Sequence, residues 1–321
     1  MTAQQSAAAG GSLGRVIAAF GRRYLVALDP PAEPDAAQRQ RNSPLSLEVD
    51  ALPRGRRMDV VVGDRVRCSR ERDLYVIESV EARRNLLFRS DANRTKPLAA
   101  NVGQIAIVFA AQPAPQREFI WRALLAARSA GVPALAILNK IDLPSAAAEA
   151  MLEEAAALGA VPVRVSARGN PEGARQALSA HCAGRATLLV GQSGMGKSTL
   201  LNLLIGAQAR TGALTRRGAH GRQTTTATRW FDYAGSGALI DSPGFHEFGL
   251  AQLAAEDLFH WMPDLDAVAG ACRFADCRHA DEPGCRIRAA VQSGAVQAER
   301  YAFYRKLCAE AQERVRAQRG F

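Results

Sequence analysis

The sequence is short of several things, and each shortage narrows the possibilities. Its longest unbroken apolar run is IAIVFAA, residues 105–111. That is far below the roughly 20 residues needed to cross a bilayer, so no membrane partner is expected. The first residues, MTAQQSAAAGGSLGR, carry no basic segment followed by an apolar core, so no secretory leader is expected and a cytoplasmic location follows. In that reducing setting the six cysteines are not expected to pair as disulfides. No internal repeat and no long low-complexity stretch is present. Acid is scarce relative to base, with 31 Asp and Glu against 41 Lys and Arg and a net charge of +10. The surplus favours a polyanionic partner, most commonly nucleic acid, although an arginine-rich solvated surface would give the same total. Its placement helps: residues 210–222 hold four Arg and no acid, and residues 286–321 hold eight basic residues against three acidic.

What is present falls into three patterns. Residues 1–90 read as all-β, with short β-rich runs at 13–20, 24–28, 45–52, 60–67 and 74–80 separated by turn and breaker residues such as DPPAEP. Five short strands without a helical pattern suit a small barrel, with an oligonucleotide-binding (OB) fold leading and an SH3-like barrel as the alternative. Residues 91–249 alternate strand and helix, with buried-strand runs at 104–110, 134–138, 161–165 and 187–190. That alternation implies a parallel sheet with helices on both faces. Residues 250–321 turn helical and irregular, ending in a polar helix expected over about 296–316. The fold class expected is therefore multidomain α/β.

GQSGMGKST, residues 191–199, has the form G-x-x-x-x-G-K-[ST] and sits between a strand and a helix start. In such a loop the glycines let backbone amides face phosphate oxygens, and the helix adds its positive end. Gly191, Gln192, Ser193, Gly194, Met195, Gly196, Lys197, Ser198 and Thr199 are the expected phosphate-binding residues. Lys197 is expected on the β- and γ-phosphates and Ser198 on Mg²⁺.

Four further segments fit the same site. In GALIDSPGF, Asp241 would reach Mg²⁺ through water and the Gly244 amide would meet the γ-phosphate. D-S-P-G is also good turn chemistry in its own right. In GRQTTT, a threonine would close over Mg²⁺; Thr225 is the first choice and Thr224 the second. In LNKIDLP, the loop Asn139, Lys140, Ile141 and Asp142 suits guanine, because one carboxylate accepts from both N1–H and N2–H₂, a donor pair that adenine lacks. Ser166 and Ala167 of VRVSARG supply the matching loop, where a backbone amide can meet the guanine O6. The order along the chain is base, base, phosphate, switch, switch. A circular permutation accounts for it, since such folds tolerate new termini at surface loops. It leaves the second switch at the end of the domain with no following strand, so something after Gly249 must anchor it.

CRFADCRHADEPGC supplies a candidate anchor. Cys272, Cys277, His279 and Cys285 stand as C-x₄-C-x-H-x₅-C, three thiolates and one imidazole that suit a closed structural zinc site. The alternative is three buried free cysteines, but this polar segment offers little core to bury them. Cys68, Cys182 and Cys308 are isolated, and His181, His220, His246 and His260 carry no pairing signal. The residue after D-x-x-G, often a Gln that orients water, is Phe245. Intrinsic hydrolysis is therefore expected to be slow without help.

The series NKID, SA, phosphate loop, TTT, DSPG, preceded by a β-barrel and followed by C-x₄-C-x-H-x₅-C, closely resembles the RsgA (YjeQ/EngC) family of circularly permuted GTPases. KPLAANVGQI and DSPGFHEFGL resemble the family as well, and the likeness runs from about residue 13 to the last helix. The resemblance implies an OB domain, a permuted GTPase domain and a zinc domain that together grip 16S rRNA of the 30S subunit. It implies GTP hydrolysis to GDP, stimulated by that subunit during late maturation, by a monomer that then leaves. One departure is Gln223, where the family usually has a His proposed to help hydrolysis. An amide can still orient water, but a general-base role there is in doubt. Two rivals are an RNA-binding scaffold that uses GTP and GDP only as conformational ligands, and a P-loop ATPase or kinase. Asp142 and the lack of a visible acceptor-substrate site count against the latter.

Overall fold

The computed structural model describes residues 11–30, 47–55, 58–91, 94–206, 228–242, 247–250 and 252–318. Five strands come first: β1 (Ser12–Phe20), β2 (Arg23–Leu28), β3 (Leu47–Pro53), β4 (Arg65–Glu71) and β5 (Leu74–Val80). They pair in the order β1-β2-β3-β5-β4, and β4 returns to β1, closing the barrel. β3 and β5 run parallel and the remaining pairs antiparallel. This is the OB-like barrel rather than a generic small β-domain. Alternation along β1 and β2 turns Val16, Val26 and Leu28 inward with Val66, Cys68 and Ile77 to form a separate small core.

The strand expected over 60–67 begins only at Arg65. Gly63 takes a φ of +92°, which glycine adopts freely, and a Cβ there would meet the Ala100 carbonyl oxygen at 2.1 Å. The chain turns instead of extending. The fully buried Asp64 accepts from Val61 N at 2.8 Å and from Arg83 Nε at 2.7 Å. Asn101 then donates to the Gly63 carbonyl at 3.0 Å, tying the barrel to the chain that follows it.

The remaining strands are β6 (Leu86–Asp91), β7 (Arg94–Ala100), β8 (Gln104–Ala110), β9 (Ala134–Asn139), β10 (Val161–Arg164), β11 (Ala186–Val190), β12 (Arg229–Tyr233), β13 (Gly237–Asp241) and β14 (Glu247–Gly249). The helices are α1 (Arg117–Ser129), α2 (Ala146–Ala157), α3 (Pro171–Cys182), α4 (Lys197–Ile205), α5 (Pro263–Ala269), α6 (Arg286–Gln292) and α7 (Ala298–Gln318), with a 3-10 turn at Leu258–Trp261. The central sheet runs β10-β9-β8-β11-β13-β12, and only β12 is antiparallel to its neighbour. β8 and β9 are buried at every position, as strands covered on both faces must be. Ser145 caps α2 by accepting from Ala148 N at 3.3 Å, and Asn170 caps α3 ahead of Pro171.

A second sheet, β14-β6-β7, corrects the expectation of an unsupported second switch. A strand does follow it: β14 pairs antiparallel with β6, Phe248 opposite Arg89. Phe248 is fully buried, with its ring 6.1 Å from Phe119 of α1. A Cβ on Gly249 would strike the Thr95 methyl at 2.6 Å, so only glycine lets the strand lie this close. The C-terminal segment adds a second hold, Arg314 of α7 donating to the carbonyls of Leu250 at 3.2 Å and Leu253 at 3.4 Å.

Candidate nucleotide cleft and metal cluster

β11 lies between β8 and β13, and the chain leaves it in the opposite direction from the β8–β9–β10 series. A crevice opens at such a reversal, outside the carboxyl ends of the strands. Here it is a cleft of about 630 Å³ lined by Asn139, Lys140 and Asp142 after β9, Ser166 and Ala167 after β10, the loop after β11, and Asp241 at the end of β13.

The loop after β11 curls through three left-handed glycines, with φ of +151° at Gly191, +80° at Gly194 and +98° at Gly196. At Gly191 a Cβ would meet the Val108 carbonyl oxygen at 2.2 Å, and at Gly196 it would meet Asn139 Nδ2 at 2.2 Å. Both positions therefore need glycine for conformation and for space. Lys197, at the first turn of α4, donates to the carbonyls of Gly191 at 2.5 Å and Gln192 at 2.9 Å. Burial pulls its pKa down, with Asp241 opposing. Burial pushes the Asp241 carboxyl up, with Lys197 and Arg229 opposing. An anion beside the first and a cation beside the second would each restore the charged form.

Asn139 joins the loops. Its Nδ2 donates to the Met195 carbonyl at 3.0 Å, and its Oδ1 accepts from Ala167 N at 3.1 Å. Lys140, in the left-handed region at φ +61°, donates to the carbonyls of Gln112 at 2.7 Å and Gly194 at 2.8 Å. The Asp142 carboxylate is solvent-accessible and held from one side by the Ser166 hydroxyl, which keeps its pKa below the usual carboxylate range. Ser166 Oγ in turn accepts from Gly169 N at 3.0 Å. Ile141 points outward and is 43% exposed. Ser193, Ser198 and Thr199 line the cleft. Gln192 is used differently: its Oε1 accepts from Gln116 N at 3.0 Å, at the start of α1. Nothing in the sequence pattern marks that contact. Gln223, Thr224, Thr225, Gly244 and Phe245 lie outside the described residues.

The ligand atoms of Cys272, Cys277, His279 and Cys285 all lie within 4.8 Å of one another. His279 Nδ1 is 3.5 Å from Cys272 Sγ and 3.6 Å from Cys285 Sγ. His279 takes a φ of +55°, fixed by Tyr301, whose hydroxyl donates to its carbonyl at 2.8 Å. Arg286 N donates to Cys272 Sγ at 3.3 Å, as an amide does to a thiolate. Burial and the neighbouring sulfurs push the Cys277 thiol up to about 12. Only a cation among the sulfurs makes so close a group favourable as thiolates, and the donor set fits zinc. The other three cysteines are buried and apart.

Strand order, left-handed phosphate loop and Asn139 bridge together define a P-loop domain in which the base-side loops precede the phosphate loop, a circularly permuted GTPase. A sequence model of the RsgA GTPase family matches residues 80–251. Over 308 residues, covering 94% of this chain and 93% of the relative, it is 43% identical to the small ribosomal subunit biogenesis GTPase RsgA of Paraburkholderia phymatum. It is also 43% identical over 292 residues, 90% of this chain and 89% of the relative, to the Neisseria meningitidis protein of the same name. Among solved structures it is similar to YjeQ from Thermotoga maritima, with TM-score 0.64 and 25% identity, covering 94% of this chain and 98% of the other. The circularly permuted GTPase YloQ shares the fold at TM-score 0.64 and 22% identity, over 97% and 99% of the two chains. The chain belongs to the RsgA GTPase family.

Proposed function

We propose that the protein hydrolyses GTP to GDP as an assembly factor in late maturation of the 30S small ribosomal subunit, binding 16S rRNA and stimulated by the subunit. The observation that carries the site is Asn139, whose one amide joins the phosphate loop to the Ser166–Ala167 loop and so makes one cleft of the two ends. Asp142 selects guanine, since adenine lacks the N1–H and N2–H₂ donor pair that its carboxylate accepts. Lys197 and the amides of residues 191–199 hold the phosphates. Ser198 and Thr225 ligate Mg²⁺, Asp241 reaches it through water, and Gly244 reports the γ-phosphate. Gln223 orients the attacking water. Cys272, Cys277, His279 and Cys285 hold one structural zinc. The working parts are an RNA-binding barrel over 1–90, the GTPase domain over 91–249 and the zinc domain over 250–321. The factor acts as a cytoplasmic monomer. Among the described residues no helix is long and apolar enough to cross a membrane.

The test is the GTP turnover rate with and without purified small subunits. Stimulation supports the reading; no stimulation removes its ribosomal part, and equal ATP turnover removes the guanine assignment. Phe245, which cannot bond water, favours a second reading as an RNA-bound scaffold without useful turnover. Gln223→Ala separates the two, because on the subunit a pure scaffold shows no kinetic change.

A further inference from the structure

Side chains cross the seam between barrel and GTPase sheet in both directions. Arg15 of β1 lays its guanidinium over Trp230 of β12, 4.4 Å from the ring centroid. Arg229 of β12 lays its own over Phe20 of β1, at 5.6 Å. The backbones meet there with Ala18 opposite Arg229. On its other side β12 pairs with β13, and Arg229 is directly opposite Asp241. Opposed residues of an antiparallel pair send their side chains to the same face of the sheet. For Asp241 that face is the cleft. Arg229 therefore stands between an aromatic ring of the barrel and the carboxylate of the cleft, and its charge is among those that favour ionised Asp241.

We propose that Arg229 is a positioning residue through which the barrel sets the affinity of the cleft for a divalent cation bound with nucleotide. The inference rests on the reading of Asp241 as the carboxylate that holds Mg²⁺. A guanidinium and a divalent cation compete for the field of one carboxylate, so a nearer guanidinium means a weaker cation site. The Phe20 ring attracts the guanidinium toward the barrel. A barrel that shifts as it grips a polyanion moves Phe20 and so changes the charge beside Asp241. By linkage, cation and nucleotide in the cleft then bias the barrel by the same factor.

The experiment titrates full-length protein with MgCl₂ and reads the magnesium midpoint for binding of a non-hydrolysable GTP analogue. Arg229→Met removes the competing charge and lowers the midpoint by about three- to tenfold. Arg229→Lys keeps a cation and stays near wild type. Phe20→Leu removes the ring, lets the guanidinium fall toward Asp241 and raises the midpoint about threefold. Phe20→Tyr restores the wild-type value, and in the Arg229→Met background Phe20→Leu has no effect. A seam that is merely structural would weaken binding in every variant with one sign. A Phe20→Leu midpoint equal to wild type, or an effect that persists without Arg229, overturns the inference while leaving the cleft reading intact. Wild-type protein with no magnesium-dependent binding of the analogue overturns the cleft reading and this inference with it.

Discussion

The barrel docks on the β12 edge of the GTPase sheet and the C-terminal segment on α1, through seams of different character. At the C-terminal seam Trp121 of α1 is buried with its ring 5.2 Å from Phe303 of α7, and Arg300 lies 5.0 Å from the Trp121 centroid while pairing with Asp264 at 2.8 Å. Arg122, also buried, reaches Glu310 at 2.5 Å, and Lys306 reaches Glu118 at 2.6 Å. The apolar core runs unbroken from the GTPase sheet through Leu265, Ile287 and Leu307. The barrel keeps a core of its own; its β1–β12 contact is one paired register position with two cation–π contacts, and the chain after β5 is held to it by the Val62–Ala99 bridge and the Asn101–Gly63 hydrogen bond. An extensive shared core makes a seam rigid, whereas a seam with less shared core opens at smaller cost. The part that carries the Cys/His cluster is thus built as an extension of the GTPase domain, and the barrel as a unit with its own core joined to it by fewer buried side chains.

That contrast can be broken at several points. The largest effect is expected from removing the metal, since structural zinc sites contribute on the order of 10 kcal/mol to folding. Chelation or Cys285→Ser is expected to unfold the C-terminal segment, read as loss of the native fluorescence of Trp121 and Trp261 with the barrel still resistant to protease. Retained fluorescence after metal removal would sink the structural-zinc assignment. Next, Trp121→Ala is expected to cost about 3–5 kcal/mol, measured from urea midpoints, because a large ring leaves a cavity in shared core. Smallest, Arg15→Ala is expected to cost about 1 kcal/mol, the loss of a part-buried cation–π contact with Trp230. If Arg15→Ala costs as much as Trp121→Ala, the two seams do not differ in the way their geometry implies.

Much of the site was legible because its signals are local. GQSGMGKST, NKID and the cysteine spacing each place their groups within one turn or loop, so the phosphate loop, the Asp142 loop and the metal cluster stand out in one dimension. The barrel was legible from alternation. What stayed hidden were contacts whose partners are distant or whose local chemistry argues against them. β6 and β7 were missed because Pro97 weakens the strand signal; it sits next to the register shift at Leu87 and Phe88, where a proline is tolerated. β14 has only three residues, too few for a period-2 pattern. Asn139 reads in sequence only as part of the guanine loop, but its two specific partners, Met195 and Ala167, emerge only when β9, β10 and β11 are side by side. Gln192 supporting the start of α1 has no sequence signal at all.

The small β14-β6-β7 sheet also bears on how the chain comes to be folded. β6 precedes all the nucleotide-site loops and β14 follows the last described residue of the cleft, so Phe248 meets Arg89 across about 160 residues, a closure of high contact order. During synthesis β6 and β7 emerge first and can form only a hairpin, which alone is marginal in water. They must wait until nearly the whole GTPase domain has been made before β14 arrives beside them. The permutation therefore makes the pairing of β14 with β6 an event of late translation and the closing step of the small sheet.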